Sequence, residues 1–296
     1  MQEVIKTFEV TSFENVITEE MKKEAIQTLE QGKVVYFPHL PFSLHEDEFQ
    51  FLSSQVVAPN SKNISYDAIK DRLGGTICRG EKEQKLKNMM ERYALQSRLF
   101  IEKLFPHYKE HLIQGRTSFR PAEIAGRSSS WRKDDTLLHV DAFPSSPVKG
   151  KRIMRFFSNI NPAQQPRVWK LGEPFAEVVQ KFGIKLRKPV PGLAWLLKAV
   201  GITKDYRTLY DHYMICLHDL MKRDKEYQEN AKQQEILFPP GSSWIVYTDQ
   251  ASHAALAGQY VMEQTYYLPV ESLQNPETSP LHVLERFFGQ KLIEKG

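Results

Sequence analysis

The chain has 296 residues, 41% of them hydrophobic and 26% charged, with two cysteines and a net charge of +4. That length allows one large domain or two ordinary ones, and the balance is that of a soluble globular protein with a sizeable core. Cys78 and Cys216 stand far apart with no CxxC pair, which excludes a disulfide framework and a thiolate zinc site and fits a reducing compartment. The opening "MQEVIKTFEV" lacks the basic start and apolar core of a signal peptide, and no stretch is apolar for the thickness of a bilayer. The expected location is the cytoplasm, or the periphery of a membrane. Positive charge is concentrated between Arg116 and Arg155, where nine Lys or Arg stand against four acids. This points to an anionic substrate. No nucleic-acid recognition motif accompanies it, so a nucleic-acid partner is not expected.

In chain order, Ile17, Met21, Ala25 and Leu29 recur at helical spacing until Gly32 ends the helix and "VVYFP" begins a strand. A second helix carries the stripe Leu86, Met89, Met90, Tyr93, Phe100, Ile101 and Leu104, is ended by Pro106, and reads as core. Residues 1–115 therefore read as a helix-rich cap. From 116 to 172, and again from 236 to 270, short extended segments separated by Gly, Pro and Asn predict a barrel or sandwich. Between them, 173–235 is helical in pattern ("PFAEVVQKF", "GLAWLLKAVGI", "YDHYMICLHDLMKRDKEYQ") and too long for a loop, hence a helical insert. Residues 271–296 form a tail, and the whole reads as one folded unit.

The segment "TLLHVDAFPS" puts His139 and Asp141 two residues apart on a predicted strand, so both side chains point to one face. His253, just after the Pro-Gly turn and apolar strand of "PPGSSWIVYTDQAS", is the best-placed partner. Two imidazoles and a carboxylate make a facial triad with open positions, a set that favours iron over thiolate-preferring metals. His212 and His218 lie in an aromatic-rich stripe of the insert and read as packing or surface residues.

"LHVDAF", "PRVWKLGEPF", "PPGSSWIVYTDQASHAAL" and "EQTYYLP" together resemble the Kdo hydroxylases of Gram-negative bacteria. The resemblance implies an α+β fold with a double-stranded β-helix (jelly-roll, cupin-like) core, and Fe(II), 2-oxoglutarate and O2 as cofactor and cosubstrates. His139, Asp141 and His253 would be the iron ligands. The reaction it implies is hydroxylation at C3 of the eight-carbon sugar acid Kdo, on Kdo-lipid A or a related lipopolysaccharide precursor. One position departs from the commonest superfamily pattern: Glu263 and Gln264 stand where many members carry the arginine that holds the far carboxylate of 2-oxoglutarate. A buried dicarboxylate needs a cationic partner. The candidates are Arg167, which with Asn159 matches the cosubstrate positions of Jumonji-type enzymes, then Arg155 and Arg127.

Arg116, Arg120, Arg132 and Lys133 are candidates for the acceptor's carboxylates or phosphates. Leu193, Trp195, Leu196, Leu197 and Val200, with Lys198 and Lys204, suit either an interfacial helix over 192–204 or packing onto the barrel. A hydroxylase of another substrate, such as a protein side chain, and a cupin-like binding module remain the alternatives.

Overall fold

The computed structural model describes residues 3–126 and 130–293. Its elements in chain order are β1 (Ile5–Thr7), α1 (Glu19–Glu30), β2 (Val34–Phe37), β3 (Ile64–Asp67), β4 (Arg72–Gly74), α2 (Gly80–Leu104), β5 (Ile113–Arg120), β6 (Arg152–Asn159) and β7 (Arg167–Leu171). Then follow α3 (Phe175–Phe182), α4 (Leu193–Ala199), α5 (Leu209–Arg223), α6 (Lys225–Asn230), β8 (Gln234–Phe238), β9 (Ser243–Tyr247), β10 (His253–Ala257), β11 (Val261–Leu268) and α7 (Pro280–Phe288).

Two sheets form the core. The larger runs β1-β2-β9-β6-β11-β5-β3-β4, and the smaller β10-β7-β8. The segment through His139 joins the smaller sheet beside β10 by a single bridge, so the predicted strand there is extended but not a ladder. With that segment the arrangement is the jelly-roll expected: β9-β6-β11-β5 face β8-β7-β10 and the His139 segment.

Alternation along the strands divides the apolar residues between two cores. On β6, Phe157 points inward to Trp169, Phe238 and Trp244, whereas Met154 and Phe156 point outward, to the cluster that contains the stripe of α2. Every residue of that stripe is buried, as the periodicity requires. Tyr93 carries its hydroxyl into this layer and donates it toward the Phe156 and Met262 carbonyls at 3.2 and 3.3 Å.

The amino-terminal 115 residues are not simply a helical cap. They supply both margins of the large sheet, β1 and β2 on one side and β3 and β4 on the other. Of these, only β2 was foreseen, from the apolar run that follows Gly32; the others lack such a run and are too short to display a period of two. β8 likewise begins before residue 236, inside the stretch read as insert.

The insert is anchored at the start of α5 by a capping box, in which Thr208 accepts from Asp211 N and Asp211 reaches back to Thr208 N. The second carboxylate oxygen of Asp211 accepts from Val148 N and Lys149 N at 2.8 and 3.0 Å. One side chain therefore starts the helix and ties it to the chain just beyond Asp141. α4 differs: none of its residues is buried, and Trp195 is 68% exposed. Core packing, the alternative for this segment, is thus not what it does.

Candidate metal centre

The three residues read from sequence converge. His139 and His253 exchange backbone hydrogen bonds, N–H to O=C, at 3.0 and 2.9 Å, and Asp141 N donates to Thr248 O at 2.7 Å. These bonds set the registers of three segments against one another. As a result, one ligand atom from each of His139, Asp141 and His253 lies within 4.8 Å of the others.

The imidazoles are oriented by their other nitrogens. Nδ1 of His139 lies 2.7 Å from Leu137 O, and Nδ1 of His253 lies 2.8 Å from Ala251 O. A carbonyl accepts only, so each Nδ1 carries the proton and each Nε2 is left with its lone pair. Trp169 stacks on the His253 ring at 5.2 Å between centroids and holds it in place.

Charge is arranged to match. Burial, with His253 close by, pushes the His139 pKa well below the usual imidazole value, and burial also lowers that of His253. Burial would raise the Asp141 pKa, but the Arg155 guanidinium and the two imidazole sites outweigh it and hold the carboxyl below its ordinary value. Two neutral imidazoles and one carboxylate are the protonation states that a divalent cation requires. On this donor chemistry the residues fit a mononuclear iron.

Arg155, on β6, stands 2.8 Å from Asp141 Oδ2 and donates to Glu263 Oε1 at 2.8 Å. The first contact is an ion pair at an angle unsuited to a hydrogen bond, which leaves that carboxylate oxygen without a donor. Arg120 donates twice to the other Glu263 oxygen, at 2.9 and 2.6 Å. Glu263, where a cosubstrate arginine was absent, is therefore the buried counter-ion of two arginines from neighbouring strands.

Arg167 is different. It is 4% exposed, donates to Gly258 O at 2.7 Å, leaves its Nε unpaired, and forms no ion pair among the described residues. Burial and the nearby Arg120 charge pull its pKa down to about 9. The backbone comes this close because Gly258, at φ +100°, has no side chain: a Cβ there would meet Pro166 O at 2.8 Å. Asn159 donates its amide to Gln165 O and to Phe238 O of β8 and accepts from Asn161 N, so it ties the turn that follows β6 to the end of β8. Arg127 lies outside the described residues.

Beside the centre, a cleft of about 630 Å³ is lined by Arg116, Arg120, Lys151, Arg155 and Lys204, with Phe143 and Tyr267 on its walls. Of the four acceptor candidates, Arg116 and Arg120 border this cleft and Arg132 and Lys133 do not. Arg132 instead pairs with Asp219 at 2.9 Å and lies over the Trp131 ring. Arg152, counted in the basic segment, is fully buried and paired with Asp249, so part of that segment's charge is internal.

Sequence reasoning missed the contribution of the insert. His218, on α5, read as a packing or surface residue, packs its ring edge-on against that of His139 at 5.4 Å. Gln228, on α6, accepts from Leu138 N at 2.7 Å and donates to Leu138 O at 3.0 Å, covering the free sheet edge beside His139. Gln228→Ala is expected to cost about 1–3 kcal/mol by leaving these backbone groups unpaired. Thermal unfolding with and without metal measures it.

A jelly-roll with two imidazoles and one carboxylate at one end defines a class, the non-haem metal enzymes with a facial triad. The family model of 3-deoxy-D-manno-oct-2-ulosonic acid (Kdo) hydroxylase matches residues 12–291. The structure is also similar to that of the Kdo hydroxylase KdoO, a non-haem Fe(II), α-ketoglutarate-dependent dioxygenase solved with α-ketoglutarate and Fe(III): 48% identity, TM-score 0.96, 99% of each chain covered. KdoO with Co(II) gives 48% identity and a TM-score of 0.97, over 99% of this chain and 98% of that one. With succinate and Fe(III) the values are 47% and 0.96, with the same coverage. A search of curated proteins finds no match. The chain belongs to the Kdo hydroxylase family and, with it, to the non-haem iron dioxygenases.

Proposed function

We propose that this enzyme hydroxylates the Kdo sugar of Kdo-lipid A at C3, with His139, Asp141 and His253 holding iron and Arg167 the far carboxylate of 2-oxoglutarate. The observation that carries the reading is the convergence of His139, Asp141 and His253 beside a cleft where five Lys or Arg stand against Asp67, Asp205 and Glu263, an excess of positive charge that suits an acidic, phosphorylated glycolipid. Iron with 2-oxoglutarate and O2 supplies an oxidant able to hydroxylate a C–H bond. The chain's own residues do the rest. Arg155 keeps Asp141 ionised and aimed, the two backbone carbonyls fix the imidazole tautomers, and the Trp169 side of the barrel excludes water.

Arg116, more exposed than Arg120 and without a carboxylate partner among the described residues, is the better acceptor contact. Charge reversal at Arg120 would strand Glu263 and is expected to disturb the fold before it reports on substrate.

Kdo-lipid A is held in a membrane, and the insert offers a way to meet it. Among the described residues no helix is long and apolar enough to cross a bilayer. Val190, Trp195, Leu196, Val200 and Ile202 are nevertheless each at least half exposed, with Lys198 among them and Lys204 reaching the cleft. An apolar face rimmed by lysines suits the interface of an anionic membrane. The site is therefore read as a peripheral one on the cytoplasmic face of the inner membrane.

Mass spectrometry of Kdo-lipid A after incubation with iron-loaded enzyme, 2-oxoglutarate and O2 tests the reaction. A gain of one oxygen on the Kdo unit, placed at C3 by fragmentation, is the expected result. No change with enzyme that consumes 2-oxoglutarate would sink it. Trp195→Ser with Leu196→Ser should lower vesicle recovery and activity on vesicle-bound acceptor by about tenfold or more, since each large apolar side chain withdrawn from water contributes about 1.5–3 kcal/mol. Equal recovery of the variant would detach the insert from the membrane.

A further inference from the structure

We infer that Lys222, on the insert helix α5, binds a reactant carboxylate at the metal centre, so that the insert forms part of the reactant site. Lys222 is 5% exposed, and its ammonium makes one hydrogen bond, to Arg132 O at 3.0 Å. An ammonium has three donors. Two of them are thus without a partner among the described residues, in a buried group whose charge is costly unless paired.

Three of the neighbouring carboxylates are in ion pairs, and a fourth, Asp134, accepts from Thr136 N and Oγ1 at 3.0 and 2.7 Å. Asp135 pairs with Lys62 at 2.5 Å, Asp141 with Arg155 at 2.8 Å, and Asp219 with Arg132 at 2.9 Å while also meeting His218. None lies within ion-pair distance of Lys222 among the described residues. His218, one turn before Lys222 on α5, meets the His139 ring edge-on at 5.4 Å, so this face of the helix is turned toward the triad. Burial pushes the Lys222 pKa down, as withdrawal from water does to any ammonium.

Two reactants carry carboxylates, the sugar acid and 2-oxoglutarate. Arg167 lies at the opposite end of β7 from Leu171, the residue paired with His253, and already offers the cosubstrate a partner inside the barrel. Lys222 comes instead from the insert helix α5, and the sugar-acid carboxylate is its expected occupant. The inference rests on the proposed function for that occupant alone.

Equilibrium binding to Co(II)-loaded protein tests it, with free Kdo, its methyl ester and 2-oxoglutarate as probes. Lys222→Met should weaken binding of the acid by about 30-fold or more, the loss typical of a desolvated charge pair. Ester binding should be unchanged, so that preference for acid over ester disappears, and Lys222→Arg should restore it. Lys222→Gln keeps a donor for the Arg132 carbonyl but not the charge, and should behave as the Met variant even if the latter folds poorly.

A loss confined to 2-oxoglutarate would also support carboxylate binding and make the cosubstrate its source. Unchanged affinity for acid and 2-oxoglutarate in both neutral variants would overturn the inference and leave Lys222 as a tie to the Arg132 carbonyl. Failure of the unaltered protein to bind Kdo in either form would count against the proposed substrate, and the 2-oxoglutarate comparison would then decide the role of Lys222.

Discussion

His253→Ala is expected to abolish hydroxylation and to lower metal affinity by more than the roughly 10–100-fold that loss of an outer partner costs. The histidine is one of the three proposed donors, and the two that would remain, His139 and Asp141, lie two residues apart on one segment and leave one side of the site open. Stability should fall by only about 1–3 kcal/mol. The residue ends a sheet register that its backbone maintains, and the hydrogen bonds to His139 do not involve the ring. The ring does stack on Trp169, so a change in tryptophan emission should accompany the substitution. Metal content, thermal unfolding and product formation are the measurements. A variant with near-normal metal content and turnover would remove His253 from the ligand set.

That triad was legible in the sequence for a simple reason. Two of its members are two residues apart on an extended segment, where geometry alone puts them on one face, and the third follows a Pro-Gly turn and an apolar strand. The stripe of α2 was legible in the same way, from one period repeated over several turns. What the sequence could not disclose depends on contacts between distant elements. Arg132 and Arg120 are alike as letters, but one pairs with Asp219 on the insert and the other with Glu263 inside the barrel. His218 read as a packing or surface residue, and nothing local to α5 tells that the ring it packs against is that of His139. Gln228 carries no signal at all: it acts on Leu138, ninety residues earlier, by imitating a strand. Asn159 was drawn in by its spacing from Arg167, and its bonds, to the turn after β6 and to β8, could not be read from that spacing.

Arg167→Met is expected to raise the 2-oxoglutarate requirement by about 30- to several-thousand-fold, the equivalent of the 2–5 kcal/mol lost when one partner of a buried charge pair is removed. The acceptor requirement should change little. The same substitution should leave the stability of the ligand-free protein within about 1.5 kcal/mol of its starting value, because Met keeps much of the volume and removes a buried charge that has no ion-pair partner among the described residues. Arg155→Met provides the contrast. Arg155 compensates Asp141 and shares Glu263 with Arg120, so its loss strands a buried carboxylate and should cost about 3–5 kcal/mol in metal-free protein. Part of that cost should return when metal binds and takes over the charge of Asp141. The two arginines are thereby separable by paired measurements of thermal unfolding and 2-oxoglutarate binding. If Arg167→Met binds 2-oxoglutarate normally while Arg155→Met does not, the cosubstrate's far carboxylate is held on β6 rather than β7.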